Sequence, residues 1–361
     1  PMKTKLFFLV FFTMLLSCTS SDDIENSPPP TNPDTIYFPP IDNSTWKTIS
    51  LADLNWNENN LQPLLGFVQE KDSKAFVILK NGRIAVEWYA NDFSATQNWY
   101  WASVGKTLTS ATVGIAEQEG YLELNNQTNA YLGDGWTNMT QEREDDISVL
   151  NQLTMTSGLN DIIFDCTDPI CLFYKADASS RWAYHNAPYT LLQDVVGNGT
   201  GETFENYFNS VLRDKIGMDG TWFGTNNYNN VYFSTARSMA RFGILMMNKG
   251  TWESDEILNQ AYFTAMTNQS QNINKSYGYL WWLNGKESFM QPGSQEVFNG
   301  ALIPNAPSDL IAGLGKNDQK LYIVPSQDLV IIRMGEIADE DSLVPITFDN
   351  ELWEKINAVI N

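Results

Sequence analysis

Ser103-Val104-Gly105-Lys106 sets a serine hydroxyl and a lysine amine three residues apart, a spacing that puts both on one face of a helix. An amine in hydrogen-bond reach of a serine can manage the proton of a nucleophilic hydroxyl, which is the core of Ser–Lys acyl transfer. The chain of 361 residues holds one histidine, His185, so a histidine-dependent site would have to use that residue. The composition therefore favours a histidine-free site, and His185 reads as structural or as part of a rim. The spacing itself is not rare, since Ser44-Thr45-Trp46-Lys47 repeats it. Context separates the two. Ser44 follows a proline-rich stretch with no convincing helix after it. Ser103 opens a segment in which Leu108, Ala111, Thr112 and Ile115 make one helical stripe, so backbone N–H groups at a helix start lie beside its hydroxyl. Ser103 is the candidate nucleophile and Lys106 its partner; the plain alternative is a helix-capping serine.

The elements that must hold this pair can be read from periodicity. Residues 75–80 and 83–89 are two apolar runs joined by Asn81-Gly82, which predicts an antiparallel hairpin with a type I′ turn. Residues 207–216 and 234–248 read as helices. Strands return after Tyr277, at Leu310-Ile311-Ala312, 321–324 and 329–334, and 350–360 reads as a closing helix. The expected fold is α/β (α+β): an antiparallel sheet built from N- and C-terminal segments, flanked by helices. In this division 41–115 and 275–361 form the α/β part of one 41–361 domain, and 116–274 form a mainly helical insert.

Residues 1–18 read as a lipoprotein export signal. Lys3 and Lys5 precede an apolar run from Leu6 to Leu16, too short to span a membrane, and Leu15-Leu16-Ser17-Cys18 fits a lipobox. A lipidated Cys18 would anchor the chain in a bacterial cell envelope, periplasmic or at the outer-membrane surface; a plain cleaved signal is the other reading. Residues 19–40 carry six prolines and few apolar side chains, as a disordered tether would. The formal charge of −21 argues against nucleic acid as a partner. Cys166 and Cys171, five residues apart in an exported chain, are expected to form a disulfide, with their loop at a cleft rim. No metal motif, dinucleotide fingerprint or P-loop is present, so no metal and no cofactor is expected.

Leu153-Thr154-Met155-Thr156-Ser157-Gly158-Leu159, Ile216-Gly217-Met218, the stretch 234–243 and Tyr277-Gly278-Tyr279-Leu280-Trp281-Trp282 join the Ser103 motif in a longer pattern. Over residues 75–335 the chain resembles the serine β-lactamase and penicillin-binding family, on its class C, esterase and 6-aminohexanoate-oligomer hydrolase side. The resemblance implies a β-lactamase/transpeptidase-like fold and a Tyr-x-Asn element after the nucleophile. Such triplets begin at Tyr89, Tyr184, Tyr207 and Tyr228; order and context select Tyr184-His185-Asn186. Tyr184 and Lys106 are then the proton-handling pair, with the lysine's charge favouring the ionised phenol, and Asn186 is a substrate or lysine contact.

The family's Lys-Thr-Gly strand motif is missing, and Ala312-Gly313-Leu314-Gly315 stands in its place, ahead of a lengthened turn. By resemblance, Gly313, Leu314 and Gly315 line the substrate, with the Leu314 backbone N–H as oxyanion donor. The implied function is hydrolysis of a small-molecule or peptide-like ester or amide through a serine acyl-enzyme. A β-lactamase or DD-peptidase, and a catalytically weak surface binding lipoprotein, are the alternatives. Trp99, Trp101, Trp182, Trp281 and Trp282 read as core sooner than as cleft walls.

Overall fold

Asn81 and Gly82 both take positive φ, 47° and 74°, as a type I′ turn requires, and so close a hairpin of β1 (Ser73–Lys80) and β2 (Arg83–Tyr89). Glycine is needed at the second position for another reason too: a Cβ there would lie 1.9 Å from the Tyr37 carbonyl oxygen. The computed structural model describes residues 35–224, 230–338 and 346–361. The export signal, Cys18, most of the tether and Tyr228 lie outside the described residues.

The hairpin joins four later strands, β3 (Trp282–Leu283), β4 (Ile311–Gly315), β5 (Gln319–Val324) and β6 (Leu329–Gly335), in one antiparallel sheet of order β2-β1-β6-β5-β4-β3. The first and last thirds of the chain thus supply the sheet. β5 and β6 are buried along their whole length because helices cover both faces. On one face lie α1 (Leu61–Glu70) and, near the C-terminus, α5 (Ile346–Ile360). Tyr322 meets Trp353 of α5 edge-on at 5.7 Å, and Lys320 reaches Asp349 of the same helix. Side chains alternate along a strand, so Leu321 faces the other way. There it meets α4 (Ala236–Met247), where Gly243 lies so close that a Cβ would sit 2.3 Å from Val330 Cγ1 and 3.2 Å from Leu321 Cδ1. Gly313, paired with Leu321, shares that face and packs under the start of α2 (Gly105–Gln118). Among the remaining helices, α3 (Asn186–Thr200) packs against α2.

Two boundaries differ from expectation. Residues 37–40 belong to the body and not to a tether: Tyr37 N–H donates to Asn81 O at 2.9 Å, Phe38 meets Trp252 edge-on at 5.1 Å, and Arg241 donates to Pro39 O and Pro40 O. Prolines lack a donor but keep an acceptor, and the buried guanidinium uses it. Within the 116–274 stretch, α4 leaves the helical group and covers the sheet, because it is buried on nearly every side and needs an apolar surface all round.

The α5 face also holds buried charge. Lys320 lies between Asp318 at 3.2 Å and Asp349 at 2.6 Å, and Tyr322 O–H donates to Asp349. Arg333 Nη1 donates to Asn317 O at 2.9 Å and Asp318 O at 3.1 Å. These groups clamp the β4–β5 turn, where Asn317 and Asp318 both hold positive φ.

Candidate active site

The approach to Ser103 is held on three sides. Trp99 and Tyr100 pair with Ser234 and Phe233 as a short antiparallel ladder. Trp101 then donates its N–H to Tyr232 O at 2.8 Å and its indole N–H to Ser234 Oγ at 2.7 Å. Ala102 turns the chain with φ of 46°, a conformation that costs a non-glycine residue energy and persists where the surroundings enforce it. Ser103 follows in a 3-10 turn, Ala102–Val104, that leads into α2. The third side is β4. A Cβ on Gly313 would lie 2.9 Å from Val104 Cγ1, and one on Gly315 would lie 2.7 Å from Trp101 O. Glycine at both places lets the strand run directly against the serine turn.

Lys106, one helical turn on, is 1 % exposed. Its Nζ donates to Asn186 Oδ1 at 2.5 Å and lies 3.0 Å from Ser103 Oγ, above the rings of Tyr189 (4.1 Å) and Tyr184 (4.9 Å). The Tyr184 phenol lines the same cleft and lies close enough to the Ser103 hydroxyl to interact with it. The three groups, 81 residues apart at the extremes, therefore meet at one hydroxyl. Burial lowers the Lys106 ammonium to about 7, against a smaller upward pull from the Asp165 carboxylate. Burial also pushes the Tyr184 phenol up, with the Ser103 hydrogen bond opposing more weakly. Burial thus works against the expected ionised phenol: the cavity penalises both charges, so the lysine titrates near neutrality while the phenol keeps its proton.

Leu314 borders the same space. β3 covers β4 only at Ile311 and Ala312, where Asn284 N–H donates to Leu310 O at 2.9 Å. Backbone groups alternate along a strand, so Leu310, Ala312 and Leu314 face the same edge, and at Leu314 no strand among the described residues lies beyond it. The Leu314 N–H is directed to the open edge. Gly313 and Gly315 face β5 instead and serve by lacking side chains. The cleft here, about 320 Å³, is lined by Tyr100, Ala102, Ser103, Phe164, Val231 and Leu314, with Asp165, Tyr184, Asn186 and Lys316 supplying polar atoms.

His185 is buried and turned away. Its Nε2 lies 3.1 Å from Ile163 O, and burial lowers its imidazole to about 4, so it is a neutral donor to that carbonyl. A disulfide joins Cys166 and Cys171, immediately after the cleft-lining Asp165. Trp101, Trp182, Trp281 and Trp282 are core, and Trp99 packs half-buried against Phe93. Tyr89 and Tyr207 bond instead to Glu87 and Glu119. Sequence reasoning passed over Phe164, Asp165, Tyr189 and Lys316. Tyr189 carried a signal, being three residues past Asn186 on one helical face; the other three sit on loops with no periodicity to mark them.

The Beta-lactamase family profile matches residues 68–334. The 6-aminohexanoate-dimer hydrolase of Paenarthrobacter ureafaciens is 23% identical over 322 residues, covering 76% of this chain and 75% of that protein. A solved Bacillus anthracis structure, provisionally assigned as a 6-aminohexanoate-dimer hydrolase, superposes with a TM-score of 0.67 at 18% identity, covering 90% of this chain and 88% of the other. A penicillin binding protein from Bacillus halodurans superposes with a TM-score of 0.58 at 14% identity, covering 82% and 99%.

Proposed function

Because the chain belongs to the beta-lactamase family and is a hydrolase of that fold, we propose that it cleaves an ester or amide through an acyl-enzyme on Ser103. One observation carries this reading: the Ser103 hydroxyl lies 3.0 Å from the Lys106 amine and within reach of the Tyr184 phenol, at the wall of a cleft. As an uncharged amine, Lys106 gives one N–H to Asn186 and keeps its lone pair for the serine proton. Ser103 Oγ attacks the carbonyl, and its proton passes to Lys106. The oxyanion is held by the N–H groups of Ser103 and Leu314. Breakdown releases the alcohol or amine, which takes its proton from the Tyr184 hydroxyl as Lys106 resupplies Tyr184. Water repeats the sequence in reverse to free the acid.

Tyr100, Phe164, Val231 and Leu314 make an apolar wall, which favours an apolar acyl or alkyl chain next to the scissile bond. The named activity of the Paenarthrobacter relative makes a linear amide oligomer one substrate of choice. Lys316 favours a second reading, since a cation at the cleft suits the carboxylate of a β-lactam or peptidoglycan stem. We further propose, from residues 1–18, that a lipid on Cys18 tethers the enzyme to the bacterial envelope; loss of palmitate-analogue labelling in Cys18→Ser tests it.

The principal test is labelling by a fluorophosphonate with peptide mass spectrometry. The adduct is expected on Ser103 and absent in Ser103→Ala; an adduct on another serine ends the reading. p-Nitrophenyl esters, short amide oligomers and a chromogenic cephalosporin then rank the substrate classes. Silence on all three, with no adduct, favours a binding protein.

A further inference from the structure

Residues 161–165 run as a strap along 181–186, joined at four points. Asp161 pairs with Arg181 at 2.8 Å, Ile163 O accepts from His185, Phe164 O accepts from Asn186 N–H at 3.1 Å, and Asp165 Oδ1 accepts from Asn186 Nδ2 at 2.5 Å. Phe164 also stacks on the Tyr184 ring, 6.2 Å between centroids. The last link decides chemistry. An amide side chain is nearly symmetric in shape but not in polarity, and which end faces Lys106 depends on what holds the other end. Asp165 accepts only, so Asn186 must turn its NH₂ toward it and its oxygen toward Lys106. The disulfide starting at the next residue, Cys166, restricts where that carboxylate can go.

We propose that Asp165 is a positioning residue for the Ser103–Lys106 pair, fixing the Asn186 amide so that its oxygen receives Lys106 and leaves the lysine's lone pair to Ser103. This rests on the acyl-enzyme reading for its catalytic meaning, though not for its geometry. The groups facing Lys106 are Ser103 from its own turn, Asn186 and the rings of Tyr184 and Tyr189 from α3 and its approach, and Asp165 from the strap, while Leu314 and Lys316 line the neighbouring cleft. Asp161 is neutralised by Arg181 at the strap's far end. Asp165 is therefore the carboxylate whose charge acts on Lys106 among the described residues, and it acts upward.

Two substitutions separate charge from hydrogen bonding. Asp165→Asn keeps an acceptor for Asn186 but removes the charge; Asp165→Ala removes both. The readouts are kcat and KM against pH on an ester, and the titration of Lys106 by NMR of ¹³C-lysine protein in the Ser103→Ala background, its signal assigned by loss in Lys106→Arg. Asp165→Asn is expected to move the Lys106 midpoint, and the acid limb of kcat, to lower pH by about half a unit or more, with kcat at the plateau within about 5-fold. Asp165→Ala is expected to lower kcat by about 10- to 100-fold with KM within about 3-fold, as loss of an oriented group does. Equal losses in both variants, with the Lys106 midpoint unmoved, overturn the proposal and leave a merely structural strap. The NMR midpoint needs no turnover, so absence of any serine adduct in the wild type would end the acyl-enzyme reading while the Asp165 effect is still decided.

Discussion

Among the described residues two lysines are almost fully buried, and they have opposite surroundings. Lys320, on the α5 face of the sheet, lies between two carboxylates, Asp318 at 3.2 Å and Asp349 at 2.6 Å. Lys106, on the other face, touches a neutral amide, a hydroxyl and two aromatic rings, with its nearest acting carboxylate held behind Asn186. Removing an ammonium from water is expensive, and the cost is offset either by a counter-charge or by giving up the proton. The first solution makes a buried ion pair that helps clamp the β4–β5 turn. The second makes an amine that is ready to accept a proton near pH 7. Burial alone therefore does not produce a base; burial without a carboxylate in direct contact does.

The sharpest way to break this contrast is to delete each lysine's charge. Lys106→Met is expected to reduce turnover about 10⁴-fold or more while the protein stays folded, measured by ester hydrolysis beside circular dichroism. Retention of more than about a tenth of the activity would remove Lys106 from the chemistry. Lys320→Met leaves Asp318 and Asp349 buried without their cation and is expected to cost about 3–5 kcal/mol in urea unfolding, with little change in kcat of the folded fraction. A loss under about 1 kcal/mol would show that water or rearrangement already relieves those carboxylates.

A pH series sharpens the point. Lys106 binds its proton less tightly when folded (about 7) than when unfolded (about 10.5), so between those values the unfolded chain holds more protons and stability rises with pH. The burial penalty is complete below about pH 7 and fades toward 10.5. The gain in Tm of Lys106→Met over wild type is therefore expected to be greatest at pH 6 and smaller at pH 9; a pH-independent difference would contradict a depressed lysine. The smallest effect expected is at the shared strand. Gly315→Ala forces a Cβ against Trp101 O, at a cost of about 1–3 kcal/mol, and shifts the serine turn, whereas a far-face change leaves that turn alone. Unchanged kcat in Gly315→Ala would show that β4 does not position Ser103.

Much of the fold was legible because it rests on local rules. The Asn81-Gly82 turn, the apolar runs of β1, β5 and β6, and the stripe of α2 each declare themselves within a dozen residues. Short irregular pieces did not. β3 is two residues long, the 3-10 turn at Ser103 carries no period, and the strap 161–165 is loop throughout. α4 was recognised as a helix, but nothing local told which part of the molecule would cover it.

From the sequence alone came the chemistry on offer: a serine and a lysine one helical turn apart, a tyrosine and asparagine eighty residues on, and a glycine-rich strand without a lysine in its motif. Covalent spacing sets such things, and 3.6 residues per turn suffices to pair Ser103 with Lys106. Only the tertiary structure decided their protonation. The affinity of Lys106 for a proton depends on which groups exclude water and which carboxylate is kept one amide away, and those come from α3, the strap and β4, distant along the chain. Electrostatic energies follow distances and dielectric in space, and neither is written in the order of residues.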